Sequence, residues 1–363
     1  MKNLTIICLL LLSITLFSQK VRKDIIIPDI MGYKLLKCDF HIHTVFSDGY
    51  VWPKYRIEEA WLDGLDVIAI TDHLEYKPFN KYIDTSSYDN SYLIAAPDTF
   101  YYGLKLIKGC EITKKFPPGH FNALFTTNNN IIFNSDWEIS IQEARKQGAY
   151  ITWNHPNWYT KKFEWPIEIQ TALSNKLIDG IEIFNGKSFY KEVLDSCQKN
   201  NIAMFANTDI HSTTAISYEN YHSRPMTLVF AKNNSIDEIK KALLDKHTLA
   251  FFADTLAGNE QFMKAIFDSS ITYNPNVTFI KNTAYIRISN KSDIPYYLTN
   301  DSQDTSITMK KNINIPAHST TIERVYIKNA DTKEKYFAVK YKVENCLITS
   351  DKRLEIYFNL QKN

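Results

Sequence analysis

The sequence predicts an α/β barrel followed by a small antiparallel β domain, and three observations carry that expectation. Between residues 35 and 231, short apolar strands that end in polar residues alternate with helical or loop segments, the pattern of an α/β fold. Most of these strands are apolar nearly throughout, as happens when both faces are covered. After about residue 265 the texture changes to strands that alternate apolar and polar residues. At 363 residues the chain exceeds the roughly 250 to 300 at which a single core splits, so two unequal domains are expected, over 20–265 and 270–363.

The elements follow in chain order. The N-terminus MKNLTIICLLLLSITLFSQ has Lys2, an apolar run over 4–17, then Ser18 and Gln19, the order of a secretory signal peptide. Residues 1–19 are therefore expected to be removed and the mature chain to be exported, periplasmic or extracellular. The run is shorter than the about 20 residues that cross a hydrocarbon core, and no other stretch could span a bilayer. Strands are predicted at LLKCDFHIH, LDVIAITDH, GLKLIKGCEIT, HFNALFTT, AYITWNHP, GIEIFNG, AMFANTDIH and MTLVFA. Helical spacing marks 56–62, 139–146, 189–199 and 236–246. The NNN at 128–130 and the stretch 76–99 read as loops, the latter placed to overhang a site. TAYIRISN, TTIERVYIKN, YFAVKYKVEN and LEIYFNL then predict the strands of a β-sandwich.

Composition narrows the function. With 44% apolar and 23% charged residues the chain is globular, and 42 basic against 40 acidic side chains, a net charge of +2, create no field that would recruit nucleic acid. Cys38, Cys110, Cys197 and Cys346 are scattered without CxxC spacing and are expected to be buried; a Cys38–Cys110 bridge is an option that the spacing leaves open.

The chemistry lies where His and acidic residues fall, because strand after strand places them at its last residues, the catalytic rim of a barrel. His41 and His43 are two apart on a predicted strand, so both imidazoles face one way. Asp48 follows in SDG, His73 ends TDH, Glu111 lies in GCEIT, His120 opens HFNALF, His155 lies in NHP, and Asp209 and His211 end NTDIH. Singly, each is better read as a core histidine or a helix cap. Together they would be very costly to bury in one crevice unless they were coordinated to metal. Mixed imidazole and carboxylate donors suit Mn, Fe or Zn. Asp72 reads as a supporting or capping carboxylate at least as readily as a direct ligand, and is left out of the donor set.

HIHTVFSDG, TDH, the GCEIT glutamate, GHFNALF, NHP and NTDIH resemble, over about residues 35–252, the PHP (polymerase and histidinol phosphatase) superfamily. Within it, IIIPDIMGYK, HTVFSDGYVWP and PGHFNA most resemble secreted bacterial PHP phosphodiesterases. The resemblance implies a distorted seven-stranded (β/α) barrel of PHP type, followed here by the small C-terminal antiparallel β-sandwich. It also implies two or three divalent metal ions (Mn, Fe or Zn) and a small-molecule phosphoester as substrate. By analogy His41, His43, Glu111 and Asp209 hold one ion, Asp48, His73 and His211 a second, and a bridging Glu111 with His120 and His155 a third.

Such ions activate water and neutralise phosphoryl charge, so no protein nucleophile is needed and a metal-bound hydroxide is the expected attacker. Lys187 and Arg224 are the expected substrate-binding cations, and His222 reads as a surface histidine, with a rim acid as its alternative. Trp52, Trp153, Trp158 and Trp165 are candidates for lining an apolar ester pocket or for the core. Phosphodiester hydrolysis is the leading expectation. A histidinol-phosphatase-type monoesterase is the alternative, followed by an amidohydrolase, which would want a bridging Lys or carboxylate where this chain has His120. A non-catalytic surface binding protein, its sandwich recognising a carbohydrate or protein, is the remaining one.

Overall fold

The computed structural model describes residues 21–156, 158 and 163–363, so the expected leader lies outside the described residues. Seven strands surround a barrel: β1 (Lys34–Asp39), β2 (Val67–Ile70), β3 (Lys105–Ile112), β4 (Phe121–Leu124), β5 (Tyr150–Trp153), β6 (Gly180–Asn185) and, after a two-residue β7 (Ser188–Phe189), β8 (Ala203–Asn207). β1, β2 and β3 run parallel, as do β5, β6 and β8, but β4 is antiparallel to both neighbours. The connection from Ile112 to Phe121 explains the reversal, because a parallel crossover needs about a dozen residues or more.

MTLVFA, expected as one more wall strand, is β9 (Met226–Ala231) and runs antiparallel to β1; β10 (Thr248–Phe252) and β11 (Thr255–Gly258) continue from it as a hairpin. No ladder joins β8 to β1 or β9 among the described residues. Side chains close that seam instead. Phe40 N donates to Asn207 Oδ1 at 2.9 Å, and the Thr227 hydroxyl both accepts from Ala206 N and donates to Ala206 O, each at 3.0 Å.

Strand alternation sorts the wall into two cores. Leu36, Cys38, Phe40, Val67, Ala69 and Phe205 fill the barrel, plugged from below by Ile239 and Leu243 of the helix Ile236–Leu244. Leu35, Ile68, Ile70 and Cys110 face the outer layer. Cys38 and Cys110 therefore point to opposite sides of the wall with β2 between their strands, which rules out the bridge left open by the sequence; all four described cysteines are buried thiols.

The C-terminal strands form two sheets with alternating burial. Ile271–Tyr273, Thr283–Asn290, Thr320–Ile327 and Ile307–Thr308 make one, and the long pair Tyr336–Leu347 and Arg353–Lys362 anchors the other. The second sheet is continuous with the barrel domain, since Leu256 and Ala257 of β11 pair in parallel with Cys346 and Leu347. Among the described residues no helix is long and apolar enough to cross a membrane.

Candidate metal centre

Strand ends bring the candidate ligands to one rim. β1 stops at Asp39, so His41 and His43 stand just beyond the strand rather than on it. Backbone bonds keep this extension straight: His43 N donates to Ile210 O at 3.1 Å and Asp209 N to His41 O at 2.9 Å. His73 pairs with Glu111 as an isolated bridge, and Asn154 N donates to His120 O at 3.0 Å. Because β4 is reversed, its beginning lies beside the other strands' ends, and His120, which precedes a strand, meets histidines that follow strands. The loop carrying Asp48 lies directly on the His43 backbone, where a Cβ on Gly49 would stand 2.8 Å from His43 C and O. His155 (φ 29°) and Asp209 (φ 51°) hold left-handed backbone, the kind of local strain that persists where the surroundings over-determine it.

All nine expected ligands converge. Donor atoms of His43, Asp48, His73 and His211 lie within 4.8 Å of one another, as do those of His41, His43 and Asp209, of His41, Glu111 and His155, and of His73, Glu111 and His120. This differs from the grouping the resemblance implies: His43 also faces the Asp48 set, and His120 and His155 meet Glu111 in separate sets.

The spacings suit divalent ions. His41 Nε2 lies 3.1 Å from His43 Nε2, 3.1 Å from Asp209 Oδ1 and 3.3 Å from Glu111 Oε1, and His43 Nε2 lies 3.0 Å from Asp209 Oδ1. An ion with ligands at about 2.1 Å sets neighbouring donors about 3.0 to 3.4 Å apart. Around Asp48 Oδ1, His211 Nε2 stands at 3.0 Å and His73 Nε2 at 3.4 Å. Asp48 Oδ1 and Glu111 Oε2 are buried, and their close partners are imidazole nitrogens outside good hydrogen-bond geometry, His211 Nε2 at 3.0 Å and His73 Nδ1 at 2.5 Å; coordination would satisfy both oxygens.

Charge is balanced within the cluster. Burial opposes a charge on His41, but Asp209, Glu182 and Glu111 together lift it well above the ordinary imidazole value. His73, likewise opposed by burial, is raised by Glu111 and Asp48 to about 10. His43, buried and facing His73 and His211, falls to about 4. Burial resists ionisation of Glu111 and Asp209, yet the surrounding imidazoles hold both well below the usual carboxylate range.

Supporting residues fix these donors. Glu182, read in the sequence only as part of a strand, is fully buried; its Oε1 lies 2.9 Å from His41 Nδ1 and its Oε2 accepts from His155 N at 2.8 Å. A carboxylate in the otherwise apolar GIEIF was the available signal, since burying one alone is costly. This carboxylate–imidazole arrangement sets the tautomer and orientation of a metal-binding ring. Asp72 accepts from Thr44 N and from the Thr44 and Ser47 hydroxyls at 2.6–2.7 Å, and Ser47 Oγ lies 3.1 Å from His43 Nδ1, the supporting role expected of Asp72.

Of the two expected substrate cations, Arg224 is engaged within the wall. Arg224 is buried and pairs with Asp39 and, at 3.2 Å, with Asp63, besides donating to Thr208 Oγ1, so its donors brace the strand ends and the expected substrate contact is corrected. Lys187 is exposed, with Nζ 5.5 Å from the Tyr221 ring, and His222 is also exposed. Of the four candidate tryptophans, Trp153 belongs to the core with Trp165 against it, and Trp52 packs on Phe46. Trp158 is 67% exposed, 5.2 Å from the His155 ring. Two aromatics not anticipated share the rim: Tyr76, 6.2 Å from the His73 ring, and Tyr50, whose N–H bonds to His211 O.

A family model for the PHP domain matches residues 39–168, and one for an Ig-like domain matches residues 271–359. An uncharacterized protein of Methanocaldococcus jannaschii is 24% identical over 168 residues, 46% of this chain and 66% of that protein, so the chain matches a little under two thirds of its length. The crystal structure of a two-domain protein from Bacteroides vulgatus, described as containing a predicted PHP-like metal-dependent phosphoesterase, superposes with a TM-score of 0.90 at 34% identity. The match covers 95% of this chain and 100% of that one. Likeness over both domains, together with a donor cluster at the barrel rim that suits divalent ions, shows that this chain belongs to the PHP family of metal-dependent phosphoesterases.

Proposed function

We propose that the protein is an exported phosphodiester hydrolase whose centre holds two or three divalent ions. The observation that carries this reading is the overlap of the donor sets at Glu111, His41, His43 and His73, since sites that share ligands hold ions a few ångströms apart. Bound there, such ions polarise a phosphoryl oxygen, lower the pKa of water and neutralise a leaving oxygen. The chain's part is to hold its donors in place: Glu182 orients His41, Ser47 and Asp72 fix His43, and Thr113 Oγ1 lies 2.6 Å from His73 Nδ1.

One feature favours diesters over monoesters. The exposed rings of Tyr50, Tyr76 and Trp158 offer stacking surface for a planar ester arm, worth about 1 kcal/mol per ring.

The test is steady-state hydrolysis of bis(4-nitrophenyl) phosphate, 4-nitrophenyl phosphate and a methyl 4-nitrophenyl diester by protein loaded with manganese or zinc. The aryl diester should be turned over fastest. A faster monoester would replace this reading with a phosphomonoesterase, and a loaded protein inert to all three would remove the activity. Export is tested separately by the N-terminal residue of protein recovered from the cell envelope, expected just after residue 18 or 19.

A further inference from the structure

We propose that Arg56 is a positioning residue for the ion held by His43, Asp48, His73 and His211, a role that rests on the metalloenzyme reading above. Arg56 lies in the first turn of the helix Pro53–Leu62, immediately after the loop that carries Asp48, and is 2% exposed. A guanidinium has five N–H donors in a rigid planar fork. Here five hydrogen bonds engage them: Nε to His43 O at 2.9 Å, Nη2 to Ile210 O at 3.1 Å and His211 O at 2.8 Å, and Nη1 to Ser212 O and Glu59 Oε2, each at 2.8 Å.

Four of these acceptors are backbone carbonyls of the two turns that present His43 and His211. Those imidazoles lie face to face, with ring centroids 4.3 Å apart at 17°. His211 O also accepts from Tyr50 N at 2.8 Å, which ties the Asp48 loop to the same node. Glu59 completes it, because its other oxygen accepts from Thr214 N at 3.1 Å beyond His211. One cation thus sets the mutual spacing of three of the four donors, whereas Glu111, His120 and His155 hang on other strands.

A lysine keeps the charge but gathers three donors on one atom and cannot span these four carbonyls. Manganese binding to the metal-free full chain, measured by calorimetry and by metal content after gel filtration, should show one class of ion weakened about 10–100-fold in Arg56→Lys, the usual cost of losing an outer partner. An ion in the set of His41, His43 and Asp209 shares His43 and should weaken by less, and an ion held through Glu111 with His120 or His155 should bind within about twofold of the unaltered protein. Arg145→Lys is the control, as Arg145 braces Ala149 O and Lys176 O away from the rim; it should lower the melting temperature and leave every ion in place. If Arg56→Lys does not fold, Glu59→Gln should give the same selective weakening to a smaller degree. Uniform weakening of all ions, or none in a folded variant, overturns the role of Arg56. Failure of the unaltered protein to bind any divalent ion would instead overturn the reading of the centre.

Discussion

Glu111 and Glu182 show how much of this site rests on single carboxylates. Glu111 is common to two donor sets, so Glu111→Gln should weaken metal binding by more than the about 10–100-fold typical of an outer partner, and Glu182→Gln by about that amount; metal content after dialysis checks both. Protonation gives a second prediction. In the metal-free protein His73 sits at about 10, above its unfolded value of roughly 6.5. Its contribution to stability is therefore complete below about 6.5 and lost as pH rises through about 10. Glu111 and Asp209, held low, contribute above the ordinary carboxylate range, and that contribution is lost as pH falls through their depressed values. Coordination requires an unprotonated imidazole, so adding manganese at pH 8 should release at least one proton per chain, measurable with an indicator dye. Uptake without proton release would contradict this charge assignment.

At the scale of elements, the strands were legible because burial on both faces leaves apolar runs, and the four expected helices appear at Pro53–Leu62, Trp137–Lys146, Lys191–Asn200 and Ile236–Leu244. Asn90–Ala95, Ile167–Ser174 and Glu260–Ser270 were not anticipated; the first two are short, where packing against neighbours outweighs weak local preference, and the third lies across the expected domain boundary. The reversal of β4 was equally hidden, because a strand's apolar pattern reads the same in either direction. The seam between β8 and β9 is the element most open to a mutational test. Thr227→Val deletes both bonds to Ala206 and leaves a buried N–H and C=O unmet, at about 1–3 kcal/mol for each group. Denaturant unfolding should show that loss, and a stability change below about 0.5 kcal/mol would mean that the seam relaxes around the defect.

In the whole molecule, the second domain completes the first. β11 bonds to Tyr336–Leu347, Phe267 of the helix Glu260–Ser270 packs edge-on against Tyr296 at 4.9 Å, and Asp293 N donates to Ile26 O at 2.8 Å near the start of the described chain. Ending the chain after residue 270 would expose the β11 edge and an apolar helix face, a template for aggregation. The truncated barrel is expected to melt at lower temperature than the full protein, or to be recovered insoluble. A truncation with unchanged melting temperature and metal content would show that the domains are energetically independent.

The sequence by itself determined the α/β class, the change to an all-β tail and the membership of the nine-residue donor cluster, because each is written in local order: apolar runs, alternation, and polar residues placed where strands end. Tertiary structure alone decided the rest. Which donors share a set, that Arg224 faces Asp39 rather than a substrate, that Cys38 and Cys110 lie on opposite sides of the wall, and that Glu182 and Arg56 brace the ligands all depend on strand direction and register. Those are fixed by contacts between residues far apart in the chain, which no local pattern encodes.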